Sequence, residues 1–227
     1  MHADAAAILD VDGTLVDSNE AHARAWLQAF AEHGITAEYQ PVRRAIGMGG
    51  DKLMPLVAGI REDSADGKKI SDRRRAIFKA AWLPRVQPFR RTRALVERLA
   101  HDGFTLAVAS SAKEDELRPL LKVAQVDDLI PTRTSSDDAD ESKPDPDVVN
   151  AALERTGSDP DRTVMIGDTP YDVEAARRAH IRIIAFTCGG WTRAELTGAV
   201  EIYADADDLL TQYDRSIVAS LAHHATK

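Results

Sequence analysis

Asp10 and Asp12 stand two residues apart, directly after the apolar run 5–9 and directly before Gly13 and Thr14. Side chains alternate along an extended chain, so residues two apart share a face and both carboxylates aim at one point. The run before them has the composition of a strand buried on both faces of a parallel sheet. Gly13 supplies the φ freedom for a tight turn that ends it. Open α/β folds bind ligands at the carboxyl ends of their strands. Two carboxylates placed there suit nucleophilic attack and general acid–base work.

Three more candidate strand ends carry polar groups. Ser110 and Ser111 follow 104–109, Lys143 lies in the segment Ser-Lys-Pro-Asp-Pro-Asp, and Gly167-Asp168 follows 163–166, with Asp172 four residues after Asp168. In a parallel sheet all carboxyl strand ends lie on one edge, so these groups can converge. Their carboxylates would then repel: at ~4 Å and an effective dielectric of ~20, each like-charged pair costs about 4 kcal/mol. A cation must offset that repulsion. Oxygen-only ligands and phosphate chemistry select Mg²⁺, with Lys143 as a second positive group.

The elements that must position these residues alternate after residue 88. The spacing predicts a helix over 92–100, a strand over 104–109, a helix over 114–123 and a loop over 132–142. A helix follows, with Asp145 as its N-cap and Pro146 as its first residue. Then come a strand over 163–166, a helix over 172–180, strands over 182–186 and 201–204, and a last helix over 208–221. This order implies an α/β fold, a doubly wound parallel sheet covered on both faces. Residues 16–86 interrupt it. Ser18 is the expected cap of a first helix carrying Ala25, Trp26, Ala29 and Phe30. Helices beginning at Pro41, over 51–60 and over 71–83 follow, without strand-like alternation. The expected organisation is a core of residues 1–15 and 87–227 with an inserted all-helical cap, residues 16–86. Within it, Arg73-Arg74-Arg75 reads as a solvated helix face and Trp26 as cap core. Asp17 reads as a hinge or turn residue.

The motif Asp10-Val11-Asp12-Gly13-Thr14, with Ser110, Lys143 and Asp168 in that order, resembles the haloacid dehalogenase superfamily, most of whose members are phosphatases. The resemblance covers the whole chain. A helical insert just after the first motif resembles the C1 cap of the branch containing phosphoglycolate phosphatase and β-phosphoglucomutase. It implies that Asp10 is the nucleophile and Asp12 the general acid and then base. It implies further that Ser110 binds a phosphoryl oxygen and that Lys143 holds nucleophile and phosphate together. Asp10, Asp12 and Asp168 become the Mg²⁺ ligands, with Asp172 holding a metal-bound water. Gly13, Thr14, Ser110, Ser111 and Lys143 become the phosphate contacts. In the cap, Glu20-x-His22-x-Arg24-Ala25-Trp26 matches the mutase-like pattern, so His22, Gly49, Gly50 and Lys52 are candidate substrate contacts. The mutase cap carries an arginine in its loop where this chain has Gly49-Gly50, which favours hydrolysis over mutase chemistry. A phospho-acceptor signalling domain would need neither cap nor Asp12, and a dehalogenase would need no metal. The same resemblance leads to the expectation that the cap moves about residues 15–18 and 85–88, excluding water during reaction.

The formal net charge of −8 disfavours nucleic acid as a partner. No apolar run reaches the ~20 residues of a bilayer span, and the N-terminus carries no signal-peptide pattern. A single cysteine, Cys188, excludes an intrachain disulfide and reads as a small residue at a strand end. The expectation is a cytoplasmic enzyme, monomer or homodimer, acting on a small phosphorylated metabolite.

Overall fold

In the computed structural model, residues 5–223 are described; the extreme ends of the expected core unit, 1–4 and 224–227, lie outside them. Six parallel strands form one sheet: β1 (Ala6–Leu9), β2 (Thr105–Ala109), β3 (Thr132–Thr134), β4 (Thr163–Gly167), β5 (Arg182–Phe186) and β6 (Glu201–Tyr203). Their spatial order is β3-β2-β1-β4-β5-β6. Ala6 pairs with Thr105 on one side and Thr163 on the other, so β1 is central. The order reverses between β1 and β4, and at such a reversal the connections leave in opposite directions and open a crevice. Asp10 and Asp168 follow these two strands.

Period-two alternation divides the strand residues between two apolar layers. Ala7 and Leu9 pack into one layer and Ile8 into the other. The first layer is covered by α5 (Thr92–His101) and α6 (Glu114–Val123), the second by α7 (Asp147–Thr156) and α8 (Pro170–Arg178). The helical insert comprises α1 (Asn19–Glu32), α2 (Tyr39–Ala45), α3 (Gly50–Ala58) and α4 (Ala65–Ile77), with α4 running on into a π-helical turn, Phe78–Trp82. Its apolar side chains, Trp26, Phe30, Leu53 and Phe78 among them, join the first layer of the core. The two chain crossings into the insert lie side by side: Asp17 N–H donates to Gln87 O at 2.9 Å and Phe89 N–H to Leu15 O at 3.1 Å.

Several local expectations are corrected. The segment 132–142 is not all loop: Thr132–Thr134 forms edge strand β3 beside β2. Asp145 is not a cap; α7 begins at Asp147 after Pro146, and the Asp145 carboxylate accepts from Arg178 at 2.6 Å. Helix α4 starts six residues before the expected 71, because the Ser64 side chain accepts from Gly67 N–H and caps it there. The last helix is two, α9 (Ala206–Thr211) capped by Asp205 and α10 (Ile217–His223). Ser18 makes no capping bond to α1; its hydroxyl is used at the site below.

Candidate active site

β1 delivers Asp10 into the crevice, and the turn after it is wound tightly around Val11. Leu15 and Val16 N–H both donate to Val11 O, at 2.9 and 3.1 Å. Gly13 has φ +82°, and a Cβ there would stand 2.2 Å from Asn19 Nδ2 and 2.3 Å from Asp168 Oδ2. Conformation and space therefore both demand glycine. Gly13→Ala should destabilise the protein by about 1–3 kcal/mol and displace Asp168. Urea unfolding measures the first effect, and unchanged stability would show that the turn is not so constrained.

Lys143 enters from the loop before α7. It is 1% exposed, and its Nζ donates to Asp10 Oδ1 at 2.5 Å, Asp172 Oδ1 at 2.7 Å and Ala109 O at 3.3 Å. Thr14 Oγ1 lies 3.1 Å from Asp10 Oδ2 and 3.0 Å from Asp168 Oδ1. Asn19 Nδ2 donates to Asp168 Oδ2 at 3.0 Å and to Gly189 O at 3.2 Å. Asp172 is set by a capping box at the start of α8: its N–H donates to Thr169 Oγ1 at 3.1 Å, and its Oδ2 accepts from Thr169 N–H at 3.0 Å.

Asp10, Asp168 and Asp172 each offer a carboxylate oxygen, all within 4.8 Å of one another and all buried. One ammonium among three carboxylates leaves two negative charges. Burial first, then the charges of Asp172 and Asp12, push the Asp10 carboxyl up to about 7 against the pull of Lys143. Burial and the charges of Asp10 and Asp172 likewise push Asp168 well above the carboxylate range. Burial disfavours the Lys143 ammonium, yet Asp10 and Asp172 hold its pKa above the ordinary lysine value. Lys143 thus serves Asp10 and Asp172, while Asp168 is met by the neutral groups of Thr14 and Asn19. The oxygen-only donor set there is one that Mg²⁺ accepts.

The side chain of Asp12 does not join the Asp10–Asp168–Asp172 cluster. Its carboxylate is turned towards the cap, accepting from the Ser18 hydroxyl and lying 2.8 Å from His22 Nε2. Burial opposes ionisation of Asp12, but His22, Ser18 and Lys143 together bring it below the usual carboxylate range. The His22 ring stacks on Phe78 of the π-helical turn, with centroids 3.9 Å apart.

Asp10, Asp12, Ser110 and Ser111 line one cavity of about 50 Å³, with His22, Gly49, Gly50 and Arg74 facing them from the cap. That volume holds a few waters. Gly49 N–H donates to Ser142 Oγ at 2.9 Å, and Ser111 Oγ donates to Gly47 O at 3.2 Å, closing cap on core. Ser110 Oγ accepts from Ala112 N–H at 3.1 Å. Gly13 and Thr14 lie behind Asp10, where Thr14 ties it to Asp168. Lys52 is elsewhere: its ammonium pairs with Glu141 and, at 3.0 Å, with Asp145.

Arg73-Arg74-Arg75 is not a solvated face throughout. Arg73 is exposed and pairs with Glu32 inside the cap. Arg74, 13% exposed, turns inward to Glu116 at 2.6 Å and lies over the Trp26 ring. Asn19, Arg74, Glu116 and Gly189 escape a reading by motif. Their one advance signal is a polar residue spaced among buried positions of a helix, as Glu116 is beside Leu117 and Leu120.

A parallel sheet with a three-carboxylate, one-lysine cluster at its switch point, under a helical cap, defines a hydrolase of the phosphoryl-transfer type. Over residues 7–186 the sequence matches the profile of the haloacid dehalogenase-like hydrolases, and the chain belongs to that family. It is 27% identical over 225 residues to a phosphoglycolate phosphatase of Aquifex aeolicus, covering 96% of each chain. It is 26% identical over 187 residues to the pyrophosphatase PpaX of Bacillus velezensis, covering 82% of this chain and 85% of that one. A hydrolase of Pseudomonas syringae superimposes with a TM-score of 0.86 at 28% identity, over 93% of this chain and 98% of that one. Among the described residues no helix is long and apolar enough to cross a membrane.

Proposed function

We propose that the protein is a Mg²⁺-dependent phosphatase that hydrolyses a small phosphomonoester through a phosphoaspartyl intermediate on Asp10. One observation carries this reading: Asp10 is anchored through Oδ1 to Lys143 and through Oδ2 to Thr14 while facing the small cavity between core and cap. An Asp10 oxygen attacks phosphorus, and the bond to the ester oxygen breaks. Asp12 donates a proton to that oxygen, so a neutral alcohol leaves. Asp12 then takes a proton from water, whose oxygen attacks phosphorus and releases Asp10 and inorganic phosphate. The 2.8 Å contact to His22 gives Asp12 a partner for that proton. Ser110 and Lys143 hold phosphoryl oxygens. Asp10 and Asp168 would hold the Mg²⁺, which neutralises charge on the acids and on the phosphoryl group.

Residues 16–86 act as the lid over residues 1–15 and 87–227, opening about the paired crossings at 15–18 and 85–88 to admit substrate. The relatives named for phosphoglycolate and pyrophosphate hydrolysis share a phosphoryl group and differ in what leaves. The cap loop carries Gly49-Gly50 in place of the mutase's arginine, which supports hydrolysis over a mutase's grip on a second phosphate.

Phosphate release from 4-nitrophenyl phosphate should fall at least ~100-fold when EDTA replaces Mg²⁺. Undiminished release in EDTA would defeat the reading. A pH signature should accompany it. With Asp10 near 7 in the fold and 3.8 as its reference value, the metal-free folded chain binds more protons than the unfolded one between those values. Its stability therefore falls as pH rises through that window. Mg²⁺ needs the ionised acids, so its stabilisation, about 2.7 kcal/mol at a hundredfold excess over Kd, should be larger at pH 8 than at pH 5.5. Thermal unfolding with and without Mg²⁺ measures this, and the opposite order would contradict it.

A further inference from the structure

Asp168 is set from two directions. Thr14, in the turn after β1, has its Oγ1 3.0 Å from Asp168 Oδ1, and Asn19 Nδ2 donates to Oδ2 at 3.0 Å. Asn19 is the first residue of α1, one position past the crossing at 15–18, so this donor belongs to the helical insert. The space around Oδ2 is filled: a Cβ on Gly189 would stand 1.6 Å from it, and one on Gly13 2.3 Å. Oδ2 is thereby committed to Asn19, while Oδ1 stays on the side that Thr14 shares with Asp10. Carboxylates that ligate a metal are held in this way, by hydrogen bonds from outside the ligand set.

Asn19 is itself held. Its side chain is buried, and both atoms that Nδ2 meets, Asp168 Oδ2 and Gly189 O, are acceptors, which fixes the orientation of the amide. Gly189 O accepts a second bond, at 2.5 Å, from Nη2 of Arg43 on α2. Two residues of the insert thus meet one carbonyl in the loop after β5. The next residue of α2 continues the contact. Arg44 lies over the Trp191 ring, 4.0 Å from its centroid, and pairs with Glu195, while its carbonyl accepts from the Tyr171 hydroxyl at 2.8 Å. Moving the insert off the core would take the Asn19 donor from Asp168 and the Arg43 donor from Gly189. A buried acceptor left without its donor is costly.

We propose that Asn19 is the positioning residue for the metal ligand Asp168, and that Arg43, acting through Gly189 O, joins it in coupling cap docking to Mg²⁺ binding, so that each favours the other. This rests on the Mg²⁺ site of the phosphatase reading. Such coupling is reciprocal, so it is measured from both ends.

Calorimetric titration with Mg²⁺ alone measures the first. Asn19→Leu has nearly the same volume and no donor, and should raise the Kd roughly 10–100-fold. Arg43→Met, on the insert and outside the acid cluster, should raise it at least ~5-fold. Amide hydrogen exchange measures the second. Gly49 N–H, in the insert, donates to Ser142 Oγ of the core, so its protection reports docking. Saturating Mg²⁺ should slow its exchange at least ~5-fold in the unaltered chain and less in either variant. If Asn19→Leu does not fold, Arg43→Met carries both measurements. A role in packing alone would lower the metal-free melting temperature and leave the Kd and the Mg²⁺ effect on Gly49 unmoved. That result beside EDTA-sensitive phosphate release would overturn the coupling and leave the phosphatase reading standing, while no Mg²⁺ binding by the unaltered chain would overturn both. The expected pattern without phosphate release would overturn the phosphatase reading alone.

Discussion

Asp10→Asn should abolish phosphate release, lowering kcat at least ~10⁴-fold, because on the proposed mechanism it removes the nucleophile of a two-step displacement. The same variant should fold. Burial and its acidic neighbours disfavour an ionised Asp10 in the metal-free chain, so at pH 8 the asparagine removes a destabilising charge. Its melting temperature without metal should equal or exceed that of the unaltered protein. The margin should shrink at pH 5, where the folded Asp10 is protonated anyway. Mg²⁺ should stabilise the variant less than the unaltered chain, since one ligand has lost its charge. These outcomes separate lost chemistry from lost structure. Residual turnover within a hundredfold of the original would place the nucleophile elsewhere.

Lys143→Met should be the most destabilising substitution at the site. It removes the one ammonium held between Asp10 Oδ1 and Asp172 Oδ1 at 2.5 and 2.7 Å, and leaves three buried carboxylates without it. Removing one partner of a buried ion pair costs about 3–5 kcal/mol. The loss should grow from pH 5 to pH 8 as the remaining acids ionise. Turnover should fall by roughly 10²–10³ in kcat, the scale for one fixed cationic or hydrogen-bonding group on a transition state. Lys143→Arg should not restore it, because the planar guanidinium is larger and cannot place one nitrogen between two carboxylates and Ala109 O. Urea unfolding at the two pH values and steady-state kinetics check both parts. A stable, active Lys143→Met protein would mean that the acids are balanced by the metal alone.

Local pattern carried much of this site. Asp10, Ser110 and Asp168 each follow an apolar run, and a parallel sheet brings such positions to one edge whatever the strand order. Edge strand β3 was hidden because only Thr134 of its three residues is buried, so no apolar run marks it. The single expected helix over 208–221 divides at a 3-10 turn, Tyr213–Arg215, after which the buried Ser216 hydroxyl donates back to Tyr213 O at 2.5 Å. Polar residues can start helices as well as lie on them. Arg74 was misjudged with its neighbours for a related reason. Three consecutive arginines look alike in sequence, while a helix turns each by about 100°, and only the docked core determines which of them meets Glu116.

The sequence by itself determined the α/β alternation, the helical insert and the identity of the acids and lysine that could do chemistry, because period and residue type are local properties. Tertiary structure decided how those charges are shared. It put Lys143 between Asp10 and Asp172, turned Asp12 away to His22, and paired Arg74 with Glu116. Electrostatic balance depends on distances between residues up to 133 positions apart in the chain, and these exist only once the sheet has assembled and the cap has docked on it.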